Sequence, residues 1–280
     1  MKINRVPFDY GFVPAGEPKT FSVFEQYIDE GMNAGMTYLA QQREPRRHPG
    51  SVLPGVQTLM MLAVPYSTVH REPHPVQTLS GIAEYARGTD YHVFIRKLLK
   101  QLAAKHQKLF PTARCRGVVD TAPLMEKDFA VQAGLGFIGK NTLLIHPQYG
   151  SKLFLAALLT TERIQDPRAG NCRKIITARF DGCGSCTRCL DACPTGALTA
   201  PYILDARKCL NYWTIEQNGA IPADIAAKRG RRFFGCDTCQ SVCPFNQHLP
   251  KQPEGTVEPD LLHTEELRRF AAGSPLERQM

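Results

Sequence analysis

Nine of the ten cysteines fall between Cys172 and Cys243, and only Cys115 lies before them. Seven of the nine stand in two tight runs, CGSCTRCLDACP from Cys183 and CDTCQSVCP from Cys236, with Cys209 alone between them. Thiols two or three residues apart force the chain into tight turns around whatever they hold. In a reducing compartment such clusters bind metal or do redox chemistry more often than they pair as disulfides. The opening MKINRVPFDYGF lacks the apolar stretch of a signal peptide, and the apolar run Leu153 to Leu159 is far short of the ~20 residues that span a bilayer. The expectation is a cytoplasmic protein with no membrane segment.

The first run places Cys183, Cys186, Cys189 and Cys193 at the CxxCxxCxxxCP spacing of bacterial ferredoxins, and Cys236, Cys239 and Cys243 give CxxCxxxCP. Three local thiolates cap three corners of one iron-sulfur cubane, so a fourth must come from elsewhere. In two-cluster ferredoxins the cysteine before the proline crosses over. This assigns Cys183, Cys186, Cys189 and Cys243 to one [4Fe-4S] cluster, and Cys193, Cys209, Cys236 and Cys239 to the other. Zinc is the alternative for any CxxC pair, but zinc needs neither a third cysteine at the next spacing nor a proline after it. Cys115 is expected to be a small buried side chain and Cys172 a free thiol.

The cysteine boundary near Asp166 to Asn171 divides the chain into residues 1–168, a cluster region 169–250 and a tail 251–280 with room for one helix at Leu261 to Ala272. In the first part, Gln57 to Val64 reads as a buried strand and Asp90 to Leu109 as an amphipathic helix with Lys97, Lys100, Lys105 and Lys108 on its polar side. Arg116 to Asp120 reads as a short strand. It leads to a helix opened by Pro123 and closed by Gly134, which puts Asp120 at a strand-to-helix junction. Strands at Thr142 to His146 and Leu153 to Thr160 complete a mixed α/β first domain in an α+β chain. Gly134-Leu-Gly136-Phe-Ile-Gly139-Lys140-Asn141 has GxGxxG spacing, but it follows a helix, which is the wrong context for a dinucleotide fingerprint. Taken alone, Asp120 reads as a helix cap. Asp90-Tyr91-His92 begins like the DxHxxG loop of corrinoid proteins but lacks the glycine, so His92 reads as structural.

The formal charge of +8, from 34 Lys and Arg against 26 Asp and Glu, suits a polyanionic partner without requiring one. Lys228, Arg229, Arg231 and Arg232, just before Cys236, are the best-placed phosphate contacts. Phe233, Phe234 and Trp213 are expected to pack around the cubanes rather than stack on a base.

Several separated motifs make the chain resemble the epoxyqueuosine reductases. They are ArgArgHisPro at 46–49, GlyThrAspTyrHis at 88–92, ValAspThr at 119–121, AlaGlyLeuGlyPheIleGlyLysAsn at 133–141, TyrGlySer at 149–151 and both cysteine runs. The resemblance implies an N-terminal cobalamin-binding domain, with the cofactor base-off, against a two-cluster ferredoxin-like domain. The implied reaction is the reductive conversion of epoxyqueuosine to queuosine in tRNA, fed by an external low-potential electron donor and carried out by a monomer. It gives Asp120 the role of catalytic acid, which a site closed off from water would keep protonated. It also places Arg46, Gly134, Gly136, Gly139, Lys140, Asn141, Leu144 and Leu155 about the corrin, the glycines letting backbone approach a flat ligand. Family members carry a helical-repeat extension after the second cysteine run that this sequence lacks. Two other outcomes therefore stay open: a cobalamin-dependent reductase of another small electrophile, and an electron-transfer module serving a partner protein.

Overall fold

The computed structural model describes residues 8–69, 81–87, 90–164, 181–217 and 219–247. Its elements are β1 (Asp9–Pro14), α1 (Phe21–Asp29), α2 (Thr37–Gln41), α3 (Arg43–Arg47), β2 (Thr58–Pro65), α4 (Tyr66–Val69), α5 (Tyr91–Leu109), β3 (Cys115–Val118), α6 (Glu126–Gln132), β4 (Phe137–Ile138), β5 (Leu144–Ile145) and β6 (Leu153–Thr160). After them come β7 (Leu198–Ala200), β8 (Ile203–Leu204) and short helical turns that carry the cysteines. Cys172, the boundary at 166–171 and the tail helix expected at Leu261 to Ala272 lie outside the described residues.

The strands β1, β2, β6 and β3 form one sheet in that order, every pair antiparallel. All eight residues of β2 are buried, and strand alternation explains why the run is apolar from Leu59 onward. Leu59, Met61 and Ala63 join one core, with Phe129 and Ala130 of α6. Met60, Leu62 and Val64 join the other, with Ile95, Leu98, Leu99 and Leu102 of α5. A strand covered on both faces has no solvent side on which to carry polar residues. Leu59, fully buried, has no room to relax when cut back, so Leu59→Ala is expected to cost about 2–5 kcal/mol. Its chemical-denaturation midpoint measures this, and a cost under about 1 kcal/mol would contradict the packing described.

The structure shifts several expected boundaries. The helix after Asp120 begins at Glu126 rather than at Pro123, which lies in the bend before it. It closes as expected: Gly134 takes φ +77°, its N–H donates to Val131, and the Leu135 N–H donates to Ala130. This pair of bonds is the left-handed helix stop that glycine favours. The strand expected at Thr142 to His146 shrinks to a two-residue hairpin arm on β4, while β6 spans the expected residues. Cys115 is half buried rather than buried.

The cluster region is tied to the sheet region at many points. Ala206 N–H donates to the Met32 carbonyl, the Tyr212 hydroxyl accepts from Gly35 N–H, and Ile82 bridges Phe234. Asn246 and Gln240 hold Ser151, and Asp237 accepts from Glu84 N–H. The two parts therefore share one interior wall.

Candidate functional site

Each cysteine run folds into the same device: a turn, then one helical turn bearing the next thiol. Cys186 N–H donates to Cys183, and Cys189 sits in the short helix Arg188–Asp191; Cys239 sits likewise in Thr238–Ser241. The two short helices pack against each other, which brings the runs together. None of the nine described cysteines is in a disulfide.

Their mutual fields sort them into two sets. Burial raises the Cys189 thiol first, and Cys183 and Cys243 raise it further; Cys243, also raised by burial, feels Cys183 and Cys186. Cys209, raised mostly by burial, feels Cys236 and Cys193. Cys239 is pushed up to about 12 by burial and then by Cys209 and Cys236, with Cys189 and Cys193 also acting on it. Cys193 is held down, despite its burial, by N–H donors from Leu198, Thr195 and Ala197. Thiols so raised ionise readily only beside a strong positive charge, which iron supplies. Among the described residues no three His, Cys, Asp or Glu side chains converge on a single-ion site. Four thiolates on one zinc stand about 3.8 Å apart, whereas a cubane spreads its ligands wider.

Between the two parts lies a cavity of about 390 Å³. Cys193, Cys209, Cys236, Cys239 and Asp120 all line it. Tyr66, Tyr85, Tyr91 and Phe154 give it an aromatic stretch of wall. Tyr91 stacks on Phe154 at 4.2 Å and 13°, and Tyr66 lies 4.5 Å from the same ring.

Asp120 takes φ +41°, a backbone state that aspartate tolerates better than most residues. Instead of capping α6, its carboxylate turns to the start of α5. The Tyr91 hydroxyl donates to Oδ2, and the His92 Nε2 stands 3.1 Å from Oδ1. The other ring nitrogen of His92, Nδ1, is 2.7 Å from Asp90 Oδ1, and Asp90 also caps α5 by accepting from His92 N–H. Burial, and next the bond to Asp120, hold the Tyr91 hydroxyl far above the usual phenol range, so it stays a donor. The Asp120 side chain is 42% exposed. The exclusion of water expected around it is not a property of the empty cavity.

His92, expected to be structural, thus lies against the predicted acid, and Tyr91 and Glu126, unremarked in the sequence, line the cavity. The partial DxHxxG match hid this, because the contact joins residues 28 apart across the fold. The remaining expectations divide. Asn141 and Leu155 line the cavity, and Asn141 Nδ2 is buried without a partner. Leu144 is core, 4% exposed. A Cβ on Gly136 would stand 2.2 Å from the Ile145 carbonyl, and one on Gly139 would meet the Ile145 side chain. These glycines let the β4–β5 hairpin close on itself and do not face the cavity. Lys140 Nζ donates to the Gly184 carbonyl at 2.6 Å, tying the hairpin to the first cysteine run. Arg46 reaches the Leu124 carbonyl at 2.9 Å and leaves Nε unpartnered. Phe233 and Phe234 are 53% and 41% exposed, against the expectation that they pack on the cubanes, and Trp213 binds the Arg207 carbonyl. No described helix is long and apolar enough to cross a membrane.

Residues 182–246 match the 4Fe-4S double cluster binding domain, and with the acid-bearing cavity they define an iron-sulfur oxidoreductase. Residues 46–121 match the model described as epoxyqueuosine reductase QueG. The epoxyqueuosine reductase of Pseudomonas aeruginosa is 37% identical over 270 residues, covering 91% of this chain and 72% of its own. The chain belongs to the epoxyqueuosine reductase family. The solved enzyme from Streptococcus thermophilus superposes with a TM-score of 0.74 at 32% identity, over 90% of this chain and 65% of that one. An epoxyqueuosine reductase crystallised with an epoxyqueuosine-modified tRNA-Tyr stem loop gives 0.68 at 31%, over 92% and 66%. The chain therefore spans about two thirds of the length of these solved relatives.

Proposed function

We propose that the chain reduces epoxyqueuosine in tRNA to queuosine, taking the epoxide oxygen out as water with two electrons and two protons. The observation that carries this is the shared cavity, lined both by the four cysteines of one set and by a hydrogen-bonded carboxyl. Electron delivery and proton delivery meet there and nowhere else among the described residues.

Cys183, Cys186, Cys189 and Cys243 would hold one [4Fe-4S] cluster, and Cys193, Cys209, Cys236 and Cys239 the other, the set nearer the cavity. The cavity also fits base-off cobalamin. Its aromatic walls suit a flat macrocycle, and the buried, unpartnered Asn141 Nδ2 is a donor waiting for an acceptor such as a peripheral carboxamide. Asn141 and Leu155 would contact the ring from the 1–168 part, while 169–250 holds the clusters. When bound, these groups supply the low-potential electrons of the reduction, drawn from an external donor.

The protein's own residues handle the proton. Tyr91 fixes one oxygen of Asp120 and His92 faces the other, so the carboxyl is held in one orientation toward the cavity. His92, with Asp90 behind it, joins Asp120 to the exposed start of α5 and forms a path by which a proton returns between turnovers. Lys228, Arg229, Arg231 and Arg232, which precede exposed Phe233 and Phe234 in the chain, would supply phosphate contacts next to rings able to stack.

His92→Gln keeps a hydrogen-bonding group against Asp120 but cannot carry a proton through. Its turnover is expected to fall on the order of tenfold at unchanged iron and corrin content, measured by nucleoside mass after single turnover. An unchanged rate would remove the relay role.

The test of the function is anaerobic. The chain is reconstituted with iron and sulfide, given cobalamin, a strong reductant and tRNA carrying epoxyqueuosine, and the digested nucleosides are weighed. Conversion to queuosine is the expected result. No conversion while cobalt is still reduced would overturn the substrate and turn the search to other small electrophiles or to a partner protein.

A further inference from the structure

Glu126 is a second carboxyl of the cavity that the scheme above leaves without a task. It is the first residue of α6 and lines the same space as Asp120. Its Oε1 is shut off from water and has no hydrogen-bond partner. A carboxylate in that position pays the full cost of lost hydration, whereas a neutral acid does not.

Three charged groups face it: Arg46 from α3, Lys127 from its own helix, and Asp120 from the loop between β3 and α6. The two cations are turned elsewhere. Arg46 donates to the Leu124 carbonyl and Lys127 Nζ to the Thr142 carbonyl at 3.0 Å. Among the described ion pairs none includes Glu126. Burial is the largest influence and, with the field of Asp120 added, pushes its carboxyl up to about 7 against the opposing pull of its own backbone N–H, Arg46 and Lys127.

The proposed reduction breaks two C–O bonds, forms one C=C π bond and delivers two electrons and two protons, the oxygen leaving as water. Both electrons come from the low-potential donor, and both protons end on the same oxygen. Asp120 holds only one at a time. We infer that Glu126 is the proton reserve of the cavity, recharging Asp120 within a turnover. The inference rests on the proposed reduction of epoxyqueuosine, and it makes Glu126 a positioning residue that acts through Asp120.

Glu126→Gln preserves size and a hydrogen-bonding end but has no proton to give. The wild-type rate is expected to fall as pH rises through about 7, where Glu126 ionises and the reserve empties. The variant is expected to be about a hundredfold slower below that pH, the low end of a general-acid contribution, and to lose that alkaline fall. Its iron content and corrin absorption should match the wild type. A readout that does not depend on turnover is the pH-difference infrared spectrum of the full chain. A protonated-carboxyl band that disappears near pH 7 should be present in the wild type and missing from Glu126→Gln. A variant that keeps both the wild-type rate and its alkaline fall overturns the inference while leaving the function standing, and so does a wild-type spectrum without the band. A wild-type chain that converts no epoxyqueuosine overturns the function, and this inference with it.

Discussion

Asp120→Asn is expected to bind corrin, keep both clusters and lose turnover by a factor of about 10²–10⁴, the range in which a positioned acid contributes. The substitution suits the site because it changes little else. Asparagine tolerates the left-handed backbone that Asp120 occupies at φ +41°, so the loop between β3 and α6 has no new reason to move. The amide oxygen still accepts from the Tyr91 hydroxyl, and the amide nitrogen can face His92. What is removed is the proton. Asp120→Ala would be a poorer test, since it leaves Tyr91 and His92 without their partner and puts a residue less suited to positive φ in the turn. Turnover of Asp120→Asn within a few-fold of wild type, measured on tRNA carrying epoxyqueuosine at matched iron content, would remove the acid role.

Cys209→Ala is expected to lose one cluster and spare the other, with turnover falling to background. Cys209 belongs to neither cysteine run and follows the turn Ala206–Lys208, which β8 and the cap by Asp205 hold in place. Backbone N–H groups of Asn211 and Tyr212 donate to its sulfur, and its field couples to Cys236 and Cys193. Without it that set has three thiols. Iron should drop from about eight to about four atoms per chain, and the remaining cluster should be the one at Cys183, Cys186, Cys189 and Cys243. Because the lost set lines the cavity, electrons should no longer reach it even though half the iron remains. Cys115→Ala, on β3 and away from both sets, is the control that should keep all the iron and full turnover. Iron that stays at two full clusters in Cys209→Ala would overturn the pairing of the sets.

Much of this was legible along the chain because its causes are local. A CxxC spacing sets the turn that presents two thiols, a glycine at positive φ stops α6 where Gly134 stands, and the short apolar run Leu59 to Val64, entered through Pro54-Gly55 and left through Pro65, reads as a strand covered on both faces. The element ends were less legible. Pro123 looked like a helix start, but the bend that carries Asp120 extends through it to Met125, because the loop is held by contacts to α5 rather than by its own propensities. Gly136 and Gly139 were read as room for a ligand, whereas a side chain at either would strike Ile145 of the neighbouring hairpin arm.

The sequence by itself determined the kinds of group present, namely seven thiols at cluster spacing, one acid at a strand end and a buried central strand. Each depends on residues within a few positions of one another. Only the tertiary structure decided which groups meet. Tyr91 and His92 reach Asp120 across 29 and 28 residues. Glu126 lines the same cavity and keeps one carboxyl oxygen buried and unpartnered. Those contacts exist because the sheet, its two helical covers and the cysteine turns close on one another. Burial, which raises the carboxyl of Glu126 and the hydroxyl of Tyr91, is a property of that closure and of no single stretch of chain.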